Sequence, residues 1–455
     1  DKWYFGINGS YTAIRSGQDP ASGTNPLCSA SSGGGLVTIS RTARFTWFPA
    51  FGNWAASTRD VKVNFGQDST FSGSFSAGGN ADENGFGDFK YSVPAGFKAM
   101  CSGNLPISDD IDPAQTDTDF PGKQFNTVLY TGNAGSNAIT GLGFKPDFCW
   151  IKKRNSTGGA ALVNSTLGGQ KVIQSNSADA EGSSSPFQTF DADGFTLDGT
   201  SSYLGNFNGS SDTYVAWCWR ANGGTTASNS NGSITSTVQA NDAAGFSIIT
   251  WTASGSNASI GHGLSAKPDF HMIKKRNGSS GWGVYHNSLG ATKYLRLDSS
   301  NAASTSSYLY NDTEPDATKI YLGDNGVTNH PSGDTYICYA WRNVEGMQRF
   351  GTYEGNSNTD GPFIYTGFRP VLIFVKKTTG SAAWNVFYSP PKEFNSSANA
   401  YVTWNTSDAE ANGVPIDFLS NGFKIRSSGN GVNHNSNTFV FGAWGDVPAK
   451  YGNTF

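Results

Sequence analysis

The sequence predicts an all-β chain of tandem β-sandwich domains, and three observations carry that prediction. Gly numbers 57 among 455 residues while Phe, Tyr and Trp together make 13%, a mixture of turn formers and strand formers. Apolar and polar residues alternate over short runs, and helical periodicity is nearly absent, with Ser407–Ala411 the one stretch expected to make a turn of helix. One long pattern also occurs three times, which marks a structural unit used repeatedly.

The copies read Phe144-Lys145-Pro146-Asp147-Phe148 followed by Ile151-Lys152-Lys153-Arg154, Ala266-Lys267-Pro268-Asp269-Phe270 followed by Ile273-Lys274-Lys275-Arg276, and Phe368-Arg369-Pro370-Val371-Leu372 followed by Val375-Lys376-Lys377-Thr378. Each closes on a strand-like run ending in tryptophan: Tyr214–Trp219, Tyr336–Trp341 and Phe439–Trp444. The gaps from basic residue to closing tryptophan are 219 − 145 = 74, 341 − 267 = 74 and 444 − 369 = 75. Each copy opens with a strand, at Phe125–Thr131, Phe246–Thr252 and Phe350–Tyr353. The proline beside the basic residue cannot donate to a ladder, so it marks a strand start or edge.

In chain order, residues 1–106 form a first sandwich, with strands expected at Trp3–Ile7, Gly35–Ile39, Arg44–Phe48, Asp60–Phe65 and Phe97–Cys101. Residues 107–122 read as an acidic solvated linker rather than a calcium loop, because no twelve-residue ligand spacing is present. The first repeat occupies 123–222, a Gly/Ser/Asn-rich linker 223–244, the second repeat 245–344 and the third 345–455. Each repeat is expected to bury its own core, with the domains in a row and modest contacts between them. The chain starts in a strand-like run without Met, which predicts that it is the C-terminal part of something longer.

Composition excludes several function classes. Charged residues are 15% and the formal net charge is −4, which gives no electrostatic footprint for nucleic acid or an anionic membrane. No apolar run is long enough to span a bilayer, and no signal peptide is evident. Cys28, Cys101, Cys149, Cys218 and Cys338 show no zinc spacing and read as reduced, mostly buried small hydrophobes, which suits folding in a reducing cytoplasm. There is no GxSxG elbow and no HExxH, Glu does not repeat between copies, and Asp191-Ala192-Asp193-Gly194 reads as a β-turn. The expectation is therefore no enzyme, no cofactor and no metal.

The candidate ligand-binding residues are Trp282, Tyr285, His286, Trp384, Tyr388, His330 and His434. Trp282 and Trp384 sit at the same position of their copies, and a tryptophan near a loop can stack on a sugar face, although a core role fits that repetition equally well. Ala160 takes their place in the first copy, which predicts that copy to be silent. Tyr285-His286 corresponds to Phe387-Tyr388. His330 and His434 lie in corresponding Asn-rich loops before the closing strand, where a solvated histidine is the ordinary expectation. The paired lysines at 152/153, 274/275 and 376/377 point to opposite faces of a strand, so they cannot form one patch.

Two resemblances add to this reading. The run Val63-Asn64-Phe65-Gly66-Gln67 and the ending Gly96 to Pro106, GFKAMCSGNLP, resemble the C-terminal half of a SPRY-like β-sandwich whose first strands are missing here. The repeats resemble a domain family of marine bacteriophage virion proteins, most closely in the third copy: Gly351 to Lys377, then Phe418 to Ile425 (FLSNGFKI) and Asn437 to Trp444 (NTFVFGAW). The second copy carries WGVYHNSLG from Trp282 to Gly290. The resemblance implies a virion surface protein, a tail-fibre or appendage subunit that attaches to the host through multivalent carbohydrate binding. Its partners would be other virion proteins and a host cell-surface glycan or receptor, with a homotrimer by analogy to fibres. The alternatives are a virion structural or head-decoration protein, whose aromatic surfaces would be covered by neighbours, and the binding modules of a secreted carbohydrate-active enzyme.

Overall fold

The computed structural model describes residues 65–104 and 120–445 except 184, 201–205 and 390–399, together with 2–3, 16–17, 19–22, 24 and 28–29. Strand accounts for 38% and helix for 3%, so the chain is all-β with multiple antiparallel sheets. It divides into two compact units, Asp1–Ile107 and Ser108–Phe455.

In the first unit, Lys2–Trp3 pairs antiparallel with Cys28–Ser29. The strands expected at Gly35–Ile39 and Arg44–Phe48, most of Trp3–Ile7 and Asp60–Phe65, and nearly all of the acidic linker lie outside the described residues. Phe97–Cys101 is not a strand. Its backbone is held by a side chain, the Asp82 carboxylate, which accepts the Ala99 N–H at 2.8 Å, so no ladder is needed to satisfy it.

The second unit contains the three repeats. In each, the closing strand lies between the opening strand and the strand that follows the Lys/Arg-Pro pair. Thr213–Trp219 lies between Phe125–Thr131 and Phe148–Lys153, Thr335–Trp341 between Phe246–Thr252 and Phe270–Lys275, and Thr438–Trp444 between Gln348–Glu354 and Leu372–Lys377. The third opening strand begins two residues earlier than its sequence counterpart, because Gln348 pairs with Trp444 as Phe125 pairs with Trp219. A smaller antiparallel sheet covers one face of each large one: Asn137–Thr140, Gly194–Leu197 and Phe187–Asp191 in the first repeat, Ala258–Gly261 with Lys319–Leu322 in the second, and Phe363–Tyr365, Gly422–Ile425 and Ile416–Leu419 in the third. The Gly/Ser/Asn-rich stretch expected to be a linker is part of the second repeat instead. Ala227–Asn229 and Ser236–Asn241 extend its large sheet, the latter pairing along Phe246–Thr250. The one α-helical turn among the described residues is Ser307–Tyr310, not Ser407–Ala411. The Ser306 side chain accepts the Tyr308 N–H at its start and Asn311 adopts the left-handed conformation at its end.

The large sheets are buried on both faces, which explains why runs such as Phe148–Ile151 and Leu372–Val375 are apolar without interruption. Alternate residues of one strand serve two cores. Cys149 and Ile151, with Tyr214, Ala216 and Cys218, face the first repeat's own small sheet. Phe148 and Trp150, with Val215, Trp217 and Trp219, face a core shared by all three repeats. The shared core centres on the three closing tryptophans: ring centroids are 5.7 Å apart for Trp219–Trp341, 5.5 Å for Trp219–Trp444 and 6.1 Å for Trp341–Trp444, all edge to face. That geometry sets the positive ring edge on the negative π face.

The repeats therefore form a closed ring, not a row with modest contacts. The first lysine of each pair proves the closure. Lys274 of the second repeat donates to the Ala178 carbonyl of the first, Lys376 of the third to the Ser300 and Asn301 carbonyls of the second, and Lys152 of the first to the Thr406 carbonyl of the third. In a row, the lysine of the first repeat would have no predecessor to reach.

Candidate functional site

Five of the seven candidate binding residues are buried, four of them in the seams of this ring. Trp282, Tyr285, His286 and Trp384 are fully buried and Tyr388 nearly so, so none of them presents a face on which a ligand could stack. Trp282 donates its indole N–H to the Gln174 carbonyl of the first repeat at 2.9 Å, and Trp384 does the same to the Arg296 carbonyl of the second. At the third seam Ala160 replaces the tryptophan, and Trp404 reaches in from the third repeat to stack on Trp150 at 4.0 Å. His286 occupies the position of Asn164 and Tyr388, each paired with the first residue of the neighbouring strand. These three side chains reach forward around the ring: Asn164 to the Tyr339 hydroxyl, His286 to the Phe441 carbonyl, and Tyr388 to Arg154, while the Tyr388 hydroxyl also donates to Glu410 of its own repeat.

Tyr285 sits elsewhere, stacked on His271 in the second repeat's own core and donating to Glu314. Burial lowers both histidines, His271 to about 3 and His286 to about 4, so both are neutral at ordinary pH. Burial likewise lowers Lys152, Lys274 and Lys376 to about 8. Two glutamates do repeat, unseen in the sequence because their spacing differs. Glu181 binds Arg276 and Glu410 binds Arg154, each across a seam at 2.7 Å.

His330 and His434 are exposed, and both follow a buried asparagine, Asn329 or Asn433, equivalent to Asn208. Each asparagine ties its loop to the end of the opening strand: Asn208, Asn329 and Asn433 accept the N–H of Asn133, Ser254 and Asn356. His330 Nδ1 lies 2.9 Å from Asp324, and His434 Nδ1 accepts from Asn437 at 2.8 Å. Among the described residues no three His, Cys, Asp or Glu side chains gather to hold a metal ion, and no helix is long and apolar enough to cross a membrane. Asp191 and Gly194 close a hairpin, as the turn reading requires. Cys149 and Cys218 are free thiols 3.6 Å apart on paired strands.

Sequence reasoning missed an exposed aromatic pair on the third repeat. On the strand Phe363–Tyr365, Ile364 faces the third repeat's core while Phe363 and Tyr365 project outward, 47% and 56% exposed. The register puts Ala138 and Thr140 at the equivalent places in the first repeat and Ser259 and Gly261 in the second. Two glycines give the rings their floor. A Cβ at Gly422 would lie 3.0 Å from the Phe363 ring and 2.1 Å from the Ile364 carbonyl oxygen, and one at Gly367, where φ is +89°, would lie 3.4 Å from the Tyr365 hydroxyl. The Arg349 guanidinium lies over Tyr365, 5.8 Å from its ring centroid. Beside it opens a cleft of about 470 Å³, lined by Asn343, Val344, Glu345, Gln348, Arg349 and Tyr365–Gly367. It lies where the turn Val344–Gln348 joins the second and third repeats. Its size and its mixture of amide, guanidinium, hydroxyl and aromatic groups suit a small polar ligand with an apolar face.

No curated protein matches the chain. A family model described as a domain of unknown function, DUF7483, matches residues 120–448 and thus spans the whole ring of three repeats, so the chain belongs to the DUF7483 family.

Proposed function

We propose that this chain is a virion surface protein that attaches to its host by binding cell-surface carbohydrate, and that the ring of repeats is the rigid body presenting the binding face. The exposed Phe363–Tyr365 pair beside the Arg349 cleft carries this reading. A decoration or shaft protein would cover its aromatic surfaces with neighbours, whereas two adjacent outward rings on a rigid strand offer stacking planes of the kind sugars use. The resemblance of the repeats to virion proteins supports the setting. Among the described residues of the three repeats only the third offers such a face, so avidity comes from several chains on the particle, each raising the effective concentration of the next.

Competition for adsorption tests the role. An excess of the purified chain should slow attachment of the parent virion to its host, and the double variant Phe363→Ala/Tyr365→Ala should compete far less well. Equal competition by both proteins would remove the aromatic face from the account.

A further inference from the structure

We propose that the cleft beside Tyr365 selects a sugar carrying an anionic group, with Arg349 reading the charge. This inference rests on the carbohydrate reading above and narrows it to a ligand class.

The cations on the outer face of the third repeat are not equivalent. Lys424, directly across from Phe363, is matched by Asp360 at 2.7 Å, and Arg426 by Asp360 at 3.1 Å and Asp417 at 2.5 Å. Those charges are already neutralised. Arg349 is exposed and has no carboxylate within ion-pairing distance among the described residues. Its guanidinium lies over the Tyr365 ring, 5.8 Å from the centroid, a cation–π contact that keeps it beside the cleft and uses none of its N–H groups. A guanidinium so placed prefers a planar or multidentate anion to a hydroxyl, because charge-assisted bonds are roughly twice as strong as neutral ones.

The cleft wall adds a second, independent observation. Gln348 is 1% exposed, and its Nε2 donates to the Ala244, Gly245 and Arg342 carbonyls at 2.9, 3.2 and 2.7 Å. These bonds fix which way the amide points, so its oxygen cannot exchange places with the nitrogen. That oxygen has no hydrogen-bond partner. The oxygen is itself buried, so Gln348 contributes by holding the cleft wall in place beside Arg349. Glu345 lines the same cleft and is engaged in the protein's own contacts, so the ligand's anionic group belongs on the Arg349 side. The first and second repeats lack the aromatic pair at the equivalent strand positions, so among the described residues of the three repeats only the third carries a site of this kind.

Ligand-observed NMR on the full chain compares glucuronic acid with glucose and galacturonic acid with galactose. The expected result is binding of the acids about tenfold tighter than the neutral sugars, a difference worth about 1.4 kcal/mol. The preference should weaken with added salt. Arg349→Gln should erase the preference and leave the unfolding temperature unchanged, and Tyr365→Ala should weaken acidic and neutral sugars alike. Equal binding of acidic and neutral sugars, unaffected by Arg349→Gln, would overturn the charge selection and leave the carbohydrate reading standing. Binding of neither sugar would overturn both.

Discussion

Trp219 and Trp444 meet edge to face with centroids 5.5 Å apart, although one closes the first repeat and the other the third. Only a ring that brings its ends together makes that contact, and Trp341 completes the triangle. Each of the three indoles is buried against residues from the other repeats, so the large sheets have no solvent-stable face of their own. Replacing Trp444 with Ala should cost about 3–5 kcal/mol. Residues 108–455 should still unfold in one transition, because the shared core is lost as a whole. Denaturant unfolding followed by far-ultraviolet circular dichroism checks this, and two separate transitions would contradict the shared core.

The seam between the first and third repeats depends on Arg154 and Glu410, whose side chains are 19% and 14% exposed, with the Tyr388 hydroxyl donating to the same carboxylate. Glu410→Gln leaves a partly buried guanidinium without its counter-charge and should cost about 1–3 kcal/mol. Hydrogen exchange should rise first along Lys152–Arg154 and Thr403–Glu410. Glu181→Gln should do the same at the first–second seam, through Arg276.

Acid should loosen the ring through His286. Its Nε2 faces the Phe441 carbonyl at 3.1 Å and its Nδ1 faces the Ser288 N–H at 3.2 Å, an arrangement that only the neutral ring satisfies. Burial lowers the folded value to about 4 from an ordinary 6.5, so below 6.5 the unfolded chain binds a proton that the folded chain refuses. Stability is then fully present above pH 6.5 and is lost as pH falls toward 4. His271, lowered to about 3, acts in the same direction. His286→Asn, which installs the first repeat's own residue, should flatten the profile by up to about 1.4 kcal/mol per pH unit. Urea midpoints at pH 7, 6, 5 and 4 read it.

The ring lysines act in the alkaline range. Burial lowers Lys274 to about 8 against an ordinary 10.5, so between those values the unfolded chain holds a proton that the folded chain has released, and the contribution to stability rises with pH. Lys274→Met removes that slope. The difference between wild type and variant from pH 8 to 10 is the quantity to measure, because buried tyrosines such as Tyr214 and Tyr336, raised by burial, pull the other way in both proteins. A difference that does not change with pH would show that the Lys274 ammonium keeps its ordinary basicity.

The strand periodicity, the repeat count and the all-β class were legible because they follow from local alternation and conserved spacing within one chain. The ring was less so. The uninterrupted apolar runs Phe148–Ile151 and Leu372–Val375 do announce strands covered on both faces, but not by what. Trp282 and Trp384 read as candidate stacking residues because repetition at a loop-proximal position fits a seam and a binding site alike, and Ala160 alone does not show that Trp404 fills the same space. Phe363 and Tyr365 were overlooked because Phe-Ile-Tyr looks like an ordinary half-buried strand. The signal was in the comparison of copies. Aromatics that stand where the siblings have Ala138, Thr140, Ser259 and Gly261 are not required by the fold.

The most direct test of the account is binding of the purified chain to immobilised host surface polysaccharide, with the wild type measured beside Phe363→Ala/Tyr365→Ala. Both rings are exposed and add little to the core, so the variant should keep the wild-type unfolding temperature. The account predicts measurable wild-type binding that falls at least about tenfold in the variant. No wild-type binding at high protein concentration, or binding that survives loss of both rings, would contradict it.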